Sequence, residues 1–285
     1  MGSIATTLEF LLDLPLYKTE APYQVIPSPD YPNINPAHLS NIKLHSRDVL
    51  IRDLREEGEN FSLDVAGFEI LHDEPKNLTF DKLPSLEAYG KETEALLSKH
   101  FGAVYVKCWN QTLRRSGGYD SKTVDINDPM LVQTLPRGVH DSTFESSPPV
   151  IESYLSEDDK SRYLKPGYRI RIVNTWRPLN DKVEDRPLAM CDYRSVNGNA
   201  LVATDRIFPH QRQQNYLVQH NKEQRFYYLS NQTPSELTLM VMFDTQANGN
   251  ARYCPHASFH NPLAPQTAAR RRSIETRSTV ITEAK

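Results

Sequence analysis

The chain has 285 residues and a formal net charge of −3 at pH 7, a length that suits one large domain or two small ones. This charge gives no electrostatic reason to expect nucleic acid or an anionic membrane as a partner. The three cysteines, Cys108, Cys191 and Cys254, are widely spaced in no metal-ligand pattern, which predicts reduced thiols in a cytoplasmic protein.

The N-terminal segment, residues 1–40, is predicted to be an arm or linker, because residues 18–40 hold five prolines and few apolar side chains. Two acidic residues interrupt the apolar stretch Leu8–Leu16, and no basic region precedes it. This pattern argues against a signal peptide or a membrane span. Residues 41–285 are predicted to form a single domain.

The first half of that domain contains a strand-like segment at Lys43–Arg55 and one clear helix pattern. The helix is expected to begin at Pro84-Ser85, with Ser85 as its N-terminal cap, and to end at Gly102. The β-rich run "AVYVKCWN" follows it. The N-terminal half is therefore expected to supply helical support.

Beyond residue 165 the pattern is mostly β. In "YRIRIVNTW", alternate residues share one strand face, among them Asn174 and Trp176. Further strand-like segments are "NALVAT", "RFYYLS", "ELTLMVMF" and "RSIETRSTVI". Short strands separated by Pro, Asn and Gly clusters predict a mainly β protein with flanking helices, built on a barrel or jelly roll.

Two histidine-containing segments, "VHDS" at 139–142 and "CPHASFH" at 254–260, could contribute to a metal site. A non-haem iron oxygenase needs two imidazoles and one carboxylate on one face of the metal. It also needs a cation for the far carboxylate of a 2-oxo acid, and arginine binds carboxylates through two parallel hydrogen bonds. Arg271 and Arg277 are six residues apart, so one strand would place both on the same face as Ser273 and Glu275. The same set could equally be a solvated strand face with Arg–Glu pairs.

Seven segments occur in an order that resembles the fungal hydroxylase/desaturase family of secondary metabolism, with its gibberellin-desaturase-like and cephem-methoxylase-related proteins. They are "FSLDVAGFEIL", "FGAVYVKCWNQTLR", "IVNTWRPL", "RPLAMCDYRSV", "RFYYLSNQTPSEL", "PHASF" and "RRSIETR", and the resemblance runs from about residue 43 to 282. It implies a double-stranded β-helix (a jelly-roll or cupin-like barrel). It also implies Fe(II)- and 2-oxoglutarate-dependent hydroxylation, desaturation or oxidative cyclisation of a small hydrophobic secondary metabolite.

The resemblance also implies roles for particular residues. His256 of "PHASF" would be the distal iron ligand. Arg271 would be the leading candidate to bind 2-oxoglutarate, with Arg277 second, and Asn174 would hydrogen-bond this co-substrate. For Asn174, bonding to nearby backbone is the alternative.

Two aromatic residues are candidates for the substrate pocket. Trp176 would line it, although ordinary core packing explains a tryptophan at this position equally well. Tyr193 of "CDYRSV" would approach the substrate as well.

The proximal motif departs from the family's His-x-Asp, because the sequence reads His140-Asp141-Ser142. If nothing is deleted, Ser142 replaces the carboxylate. If the spacer is deleted, Asp141 is the ligand, which requires a bulge or sharp turn after His140 since successive strand residues point to opposite faces. Glu145 is a substitute if its loop folds back. We predict His140, Asp141 and His256 as the iron ligands.

Loss of iron would leave a second class of function open. The same pocket could then steer a redox-neutral cyclisation, isomerisation or dehydration by positioning and charge stabilisation. His140, Asp141 or His256 would act as acid or base. A non-catalytic binding protein is a third hypothesis. It is disfavoured because the polar face of Arg271, Ser273, Glu275 and Arg277 would be costly to bury without a function.

Overall fold

The computed structural model describes residues 2–26, 35, 38–58, 61–118, 125, 128–208 and 211–284, and the fifteen strands of these residues form two sheets. Strands are numbered along the chain. The nine-stranded sheet has the spatial order β1 (Ile4–Leu11), β3 (Leu44–Asp53), β12 (Phe226–Tyr228), β9 (Leu188–Cys191), β14 (His256–Ser258), β7 (His140–Ser142), β11 (Gln211–Val218), β10 (Leu201–Phe208) and β2 (Tyr23–Val25). The six-stranded sheet has the order β4 (Phe68–His72), β13 (Glu236–Asp244), β8 (Tyr168–Pro178), β15 (Arg272–Glu283), β5 (Tyr105–Arg115) and β6 (Val132–Gln133).

The two sheets face each other across a shared core. Trp176 and Met240 of the six-stranded sheet pack with Met190 and Tyr227 of the nine-stranded sheet, and all four are buried. Most strand pairs are antiparallel. Two facing, mainly antiparallel sheets are the jelly-roll arrangement, so the predicted fold class is confirmed.

Four α-helices lie in the described residues: α1 (Leu63–Ala66), α2 (Leu83–Phe101), α3 (Ser147–Tyr154) and α4 (Glu157–Tyr163). Helix α2 packs on β5 and β15, and β15 is therefore also buried on the face that points away from the other sheet. Gly102 ends it in the left-handed conformation, as expected. The prediction of Ser85 as N-cap was wrong. The helix begins at Leu83 with Pro84 in its first turn, and the Ser85 hydroxyl donates to the Lys82 carbonyl at 2.7 Å.

The N-terminal segment differs from the predicted arm over residues 4–11. These residues form β1, which pairs antiparallel with β3 and buries Ile4, Leu8 and Phe10 in the core. Ile4, Leu8 and Phe10 lie at even-numbered positions of the strand, so they share one face, and that face packs on the barrel. The domain boundary at residue 40 stays a prediction. Within the described residues, no helix combines the length and apolar character needed to cross a membrane.

Candidate active site

His140 and His256 lie side by side on the nine-stranded sheet. They are direct partners in the antiparallel pairing of β7 with β14, and their ring centroids are 4.7 Å apart. The structure therefore brings together two residues that are 116 positions apart in the sequence. Two imidazoles at this separation form the nitrogen half of a two-histidine, one-carboxylate metal site.

Both imidazoles are held in a defined tautomer. Nδ1 of His140 lies 2.9 Å from the Gly138 carbonyl oxygen, and Nδ1 of His256 lies 2.8 Å from the Cys254 carbonyl oxygen. Because a carbonyl oxygen only accepts, each Nδ1 carries the proton and donates it. Each Nε2 therefore keeps its lone pair, as in metal-binding histidines that donate their other ring N–H to a carbonyl.

The two histidines are neutral at physiological pH. Burial, followed by the neighbouring His256, lowers the pKa of His140 to about 3, and burial lowers the pKa of His256 as well. Neutral imidazole is the form that binds a metal ion. The pair thus needs no deprotonation step before binding.

Asp141 is buried but does not join the two imidazoles. Strand β7 pairs residue by residue with β11, His140 with Leu217 and Asp141 with Tyr216, so no bulge follows His140. The Asp141 carboxylate instead accepts hydrogen bonds from the amides of Ser142 at 2.7 Å and Cys254 at 2.5 Å. Burial raises its pKa to about 7, against the opposing effect of these two amides and of Arg277. Its role as the third iron ligand stays a prediction.

The two alternatives to Asp141 occupy different places. Ser142 lies two residues after His140 in the regular strand and shares its face, and its hydroxyl lies 4.0 Å from the Met242 sulfur of the other sheet. Glu145 is exposed, and its carboxylate accepts from the Tyr216 hydroxyl at 3.1 Å. Within the described part of the chain, no set of three His, Cys, Asp or Glu side chains is arranged to hold a metal ion.

The facing side of the site lies on the six-stranded sheet. Direct cross-strand pairing places Arg277 beside Asn174 and Glu275 beside Trp176, so these four side chains share the inner face. The charges of Glu275 and Arg114 act on both imidazoles across the barrel. The predicted same-face set on β15 therefore points into the interior rather than into solvent.

Arg271, the leading candidate for co-substrate binding, is almost fully buried just before β15. Its Nη1 donates to the Arg186 carbonyl at 2.9 Å, and its guanidinium carbon lies 5.1 Å from the Trp176 ring centroid. Burial lowers the pKa of Arg271 to about 9, which still leaves it protonated at neutral pH. Trp176 itself is 1% exposed and packs in the shared core, so its indole supports Arg271.

Several polar atoms on this inner face are buried without a hydrogen-bond partner among the described residues. They are the Nε atoms of Arg114, Arg271 and Arg277, Asn174 Oδ1, Trp176 Nε1 and Ser273 Oγ. Buried polar groups are nearly always paired in native proteins, so a group of unpaired ones calls for a ligand. Most are donors, which indicates an anionic or oxygen-rich ligand.

Positively charged side chains outnumber negatively charged ones on this face. Glu275 forms an ion pair with Arg114 at 2.6 Å; burial opposes its ionisation, but Arg114 outweighs burial and lowers its pKa to about 2. Arg114, Arg271 and Arg277 outnumber this carboxylate, while Asp185 acts on Arg271 and Asp141 acts on Arg277 as further negative groups. An anionic ligand would suit this arginine-rich face.

Tyr193 lies away from Trp176, in a cleft of about 400 Å³. Its ring centroid is 4.8 Å from that of Tyr253, and Phe144, Tyr216 and Arg252 complete much of the lining. Tyr216 is the cross-strand partner of Asp141, and Tyr253 precedes Cys254, whose amide binds Asp141. The cleft thus lies on the strand face of Asp141, opposite to that of His140.

Arg114 is the functional candidate that sequence reasoning missed. In β5, Thr112 and Arg114 alternate with Leu113, and this alternation would have assigned Arg114 to a polar face. Arg114 becomes part of the site only because β5 pairs with β15. This pairing places Arg114 beside Ser273 and within hydrogen-bond distance of Glu275. The sequence contains no local signal for that pairing, since the two strands are about 160 residues apart.

Comparisons with known proteins show the family and the fold of the chain. A family model described as "Oxidoreductase/YMDC permease-like domain" matches residues 13–281. The hydroxylase/desaturase efuI of Hormonema carpetanum is 31% identical over 260 residues, covering 86% of each chain. The Fe(II)/2-oxoglutarate-dependent dioxygenase nvfI of Aspergillus novofumigatus is 26% identical and covers 92% of this chain and 91% of its own.

A solved structure of a variant of the iron and alpha-ketoglutarate-dependent endoperoxidase NvfI superposes with a TM-score of 0.82 at 22% identity, covering 100% of this chain and 99% of that one. This likeness shows a shared fold. The family model and the efuI match together define an oxidoreductase class, and the chain belongs to the fungal hydroxylase/desaturase family. The resemblance predicted from the sequence motifs is therefore confirmed.

The residues present fit the expected cofactors at most positions. Two neutral imidazoles with free Nε2 lone pairs suit ferrous iron, and the arginine-rich face with its unpaired donors suits the two carboxylates of 2-oxoglutarate. Two residues after His140 the strand holds Ser142, which is not an anionic ligand. The site thus offers cations for a dicarboxylate and two imidazoles for a metal ion.

Proposed function

We propose that this chain is an Fe(II)- and 2-oxoglutarate-dependent oxygenase that hydroxylates, desaturates or oxidatively cyclises a small hydrophobic secondary metabolite. The observation that carries the proposal is the oriented, neutral pair of His140 and His256 facing a buried, arginine-rich face. The printed names of the relatives, among them Fe(II)/2-oxoglutarate-dependent dioxygenase, support it.

The chain's own groups divide the work. His140 and His256 would hold the iron, which when bound supplies oxidation of a C–H bond by O₂ coupled to conversion of 2-oxoglutarate into succinate and CO₂. Arg271, or Arg277 as the second candidate, would bind the far carboxylate of the co-substrate through charge-assisted hydrogen bonds. Asn174, fixed beside Arg277 in the strand pairing, would orient it.

The substrate would contact Tyr193 in the cleft that this residue lines with Tyr253. Aromatic walls with tyrosine hydroxyls at their edges suit an apolar ring system that carries a few oxygen atoms. Trp176 would act indirectly, by packing its indole ring against the Arg271 guanidinium. We propose no nucleic-acid or membrane partner. We place the enzyme in the cytoplasm, in keeping with three cysteines that are all free and buried.

The test is an anaerobic titration of Fe(II) into apo-protein with 2-oxoglutarate, watching for the visible charge-transfer band of the chelated 2-oxo acid. We expect the band in the wild type and its loss in His256→Ala. His260→Ala is the matched control, because His260 is exposed four residues further on and should keep the band. A folded wild-type protein that gives no band would refute the oxygenase proposal.

One observation favours a second candidate, a metal-independent cyclase, isomerase or dehydratase. Asp141 is buried with a pKa of about 7, a value suited to an acid or base, and the described residues provide no set of three metal ligands. Such an enzyme would turn over without O₂ and in the presence of a chelator. The oxygenase would stop under either condition.

A further inference from the structure

Resting on the proposed function, we infer that Asp185 is a positioning residue that fixes the Arg271 guanidinium where it can receive the far carboxylate of 2-oxoglutarate. Asp185 lies in the loop between β8 and β9, and Arg271 lies just before β15. Strands β8 and β15 belong to the six-stranded sheet, and β9 belongs to the nine-stranded sheet. A contact between the two residues therefore joins the co-substrate side of the barrel to the side that carries the histidines.

Both ends of Arg271 are bound by the consecutive residues Asp185 and Arg186. The main-chain amide of Arg271 donates to Asp185 Oδ2 at 3.2 Å, and its Nη1 donates to the Arg186 carbonyl oxygen at 2.9 Å. Asp185 Oδ1 accepts from the Arg186 amide at 2.7 Å and so fixes the same short segment. One carboxylate therefore holds the Arg271 backbone and also orders the segment whose carbonyl binds the Arg271 side chain.

Ser116, which follows β5, joins the same contact. Its hydroxyl donates to Asp185 Oδ2 at 3.0 Å, and its amide donates to the Arg271 carbonyl at 2.9 Å. The two amide donors, from Arg186 and Arg271, lie on different oxygens of the Asp185 carboxylate. An asparagine side chain offers only one acceptor oxygen, so Asp185→Asn can satisfy one of these amides but not both.

The loop that carries Asp185 is anchored to the strand that carries His256. Strand β14 pairs with β9 at His256, and the pairing continues beyond both strands, where the Asn261 amide donates to the Asp185 carbonyl at 3.0 Å. The Asp185 backbone thus extends the ladder that contains His256, while its side chain holds Arg271. Asp185 therefore helps to set the separation between Arg271 and the histidine pair.

The Arg271 guanidinium keeps an edge for a ligand. Its Nε is buried without a hydrogen-bond partner among the described residues. Of the charged groups that act on Arg271, Glu275 and Asp185 favour its positive charge, and Arg114 and Arg186 oppose it. A carboxylate at this edge would accept a charge-assisted hydrogen bond. If Asp185 no longer held Arg271, the arginine would first have to be ordered, which lowers affinity.

The experiment compares two 2-oxo acids by titration calorimetry on metal-free protein. 2-Oxopentanoate carries a methyl group where 2-oxoglutarate carries its far carboxylate, so the ratio of the two dissociation constants reports the contact at that end. We expect the wild type to favour 2-oxoglutarate by about 10- to 100-fold, as charge-assisted hydrogen bonds should. Asp185→Asn should weaken 2-oxoglutarate binding by about tenfold, a size typical of residues in one hydrogen-bond network, and leave 2-oxopentanoate binding unchanged.

Further variants separate positioning of Arg271 from general damage to the fold. In an Arg271→Met background, Asp185→Asn should have no further effect on 2-oxoglutarate affinity, because the group that it positions is gone. Glu184→Gln is the matched control, since the neighbouring Glu184 carboxylate pairs with Lys182 and should not affect either acid. Ser116→Ala removes one hydrogen bond to Asp185 and should weaken 2-oxoglutarate binding by about threefold, which tests the inference even if Asp185→Asn does not fold. Urea unfolding confirms that each variant is folded.

The outcomes separate this inference from the proposed function. A preference for 2-oxoglutarate that is lost in Arg271→Met but intact in folded Asp185→Asn, or in Ser116→Ala where Asp185→Asn does not fold, overturns the positioning role and leaves the oxygenase function standing. Equal loss of both acids in Asp185→Asn, or a further loss in the double variant, also overturns it, since the damage is then general. A preference that survives Arg271→Met overturns the inference alone, because the far carboxylate then binds elsewhere. A folded wild-type protein without any preference for 2-oxoglutarate overturns both.

Discussion

Replacing Glu275 by glutamine tests whether the inner face of the six-stranded sheet is a charged site rather than ordinary core. Glu275 pairs with Arg114 in the cluster of Arg114, Arg271 and Arg277 described above, and the two side chains are only 11% and 13% exposed. Glutamine keeps the shape and removes the charge. Arg114 then has no ion-pair partner in the apo-protein.

Two independent routes give the size of the effect. The pKa of Glu275 falls from 4.5 to about 2, and a shift of this size corresponds to roughly 3 kcal/mol of stability at neutral pH. Removing one partner of a buried ion pair typically costs about 3–5 kcal/mol. Since the folded-state pKa is depressed, this stabilisation is present above pH 4.5 and is lost as the pH falls towards 2.

The assay is urea unfolding at pH 7, with and without 2-oxoglutarate. We expect Glu275→Gln to lower the free energy of unfolding by about 3 kcal/mol. Bound 2-oxoglutarate should restore more stability to the variant than to the wild type, because the variant has more uncompensated positive charge. Glu283→Gln is the control, since Glu283 is exposed at the end of the same strand. A Glu275→Gln protein within about 0.5 kcal/mol of wild type would show the electrostatic reasoning to be mistaken.

Three further substitutions separate co-substrate binding from structure. Arg271→Met should weaken 2-oxoglutarate binding by about 10- to 100-fold in calorimetry through loss of charge-assisted hydrogen bonds, while Arg272→Met, on an exposed neighbour, should leave it unchanged. Arg177→Met should lower the free energy of unfolding by about 3 kcal/mol without altering 2-oxoglutarate affinity, because Arg177 pairs with Asp73 on the outer face of β8. Gly67→Ala should destabilise by about 1–3 kcal/mol in urea unfolding, since Gly67 has φ +88° and an added Cβ would lie 2.7 Å from the Tyr253 carbonyl. Unchanged 2-oxoglutarate affinity in Arg271→Met, or unchanged stability in Arg177→Met or Gly67→Ala, would contradict the corresponding assignment.

The alternation of apolar and polar residues, together with residues that end helices and strands, was enough to predict much of the fold. Strands β8, β13 and β15 follow from their apolar or alternating runs, and Gly102 ends α2 where the sequence indicated. The sequence did not reveal β1, because the proline-rich residues after it suggested a linker and its partner β3 begins more than 30 residues later. Strand pairing is non-local, so a single strand pattern does not say whether a partner exists.

The site could be predicted in part, for the same reason. His140, His256, Arg271 and Arg277 were recognisable by residue type and family motif, and the structure brings the histidines into direct contact. The tie between Asp141 and the Cys254 amide could not be foreseen, because it joins residues 113 positions apart through a backbone group that has no sequence signature. That contact, together with the regular pairing of β7, turns Asp141 away from the imidazoles.

The orientation of the histidine pair does not depend on a third ligand. Each ring is fixed by a carbonyl two residues earlier in its own segment, Gly138 for His140 and Cys254 for His256. Gly138 adopts φ +77°, a conformation that glycine accepts without strain and that helps present its carbonyl to the ring. The tautomer and the orientation of the two rings are therefore set by the backbone of these two segments, whichever residue supplies a third ligand.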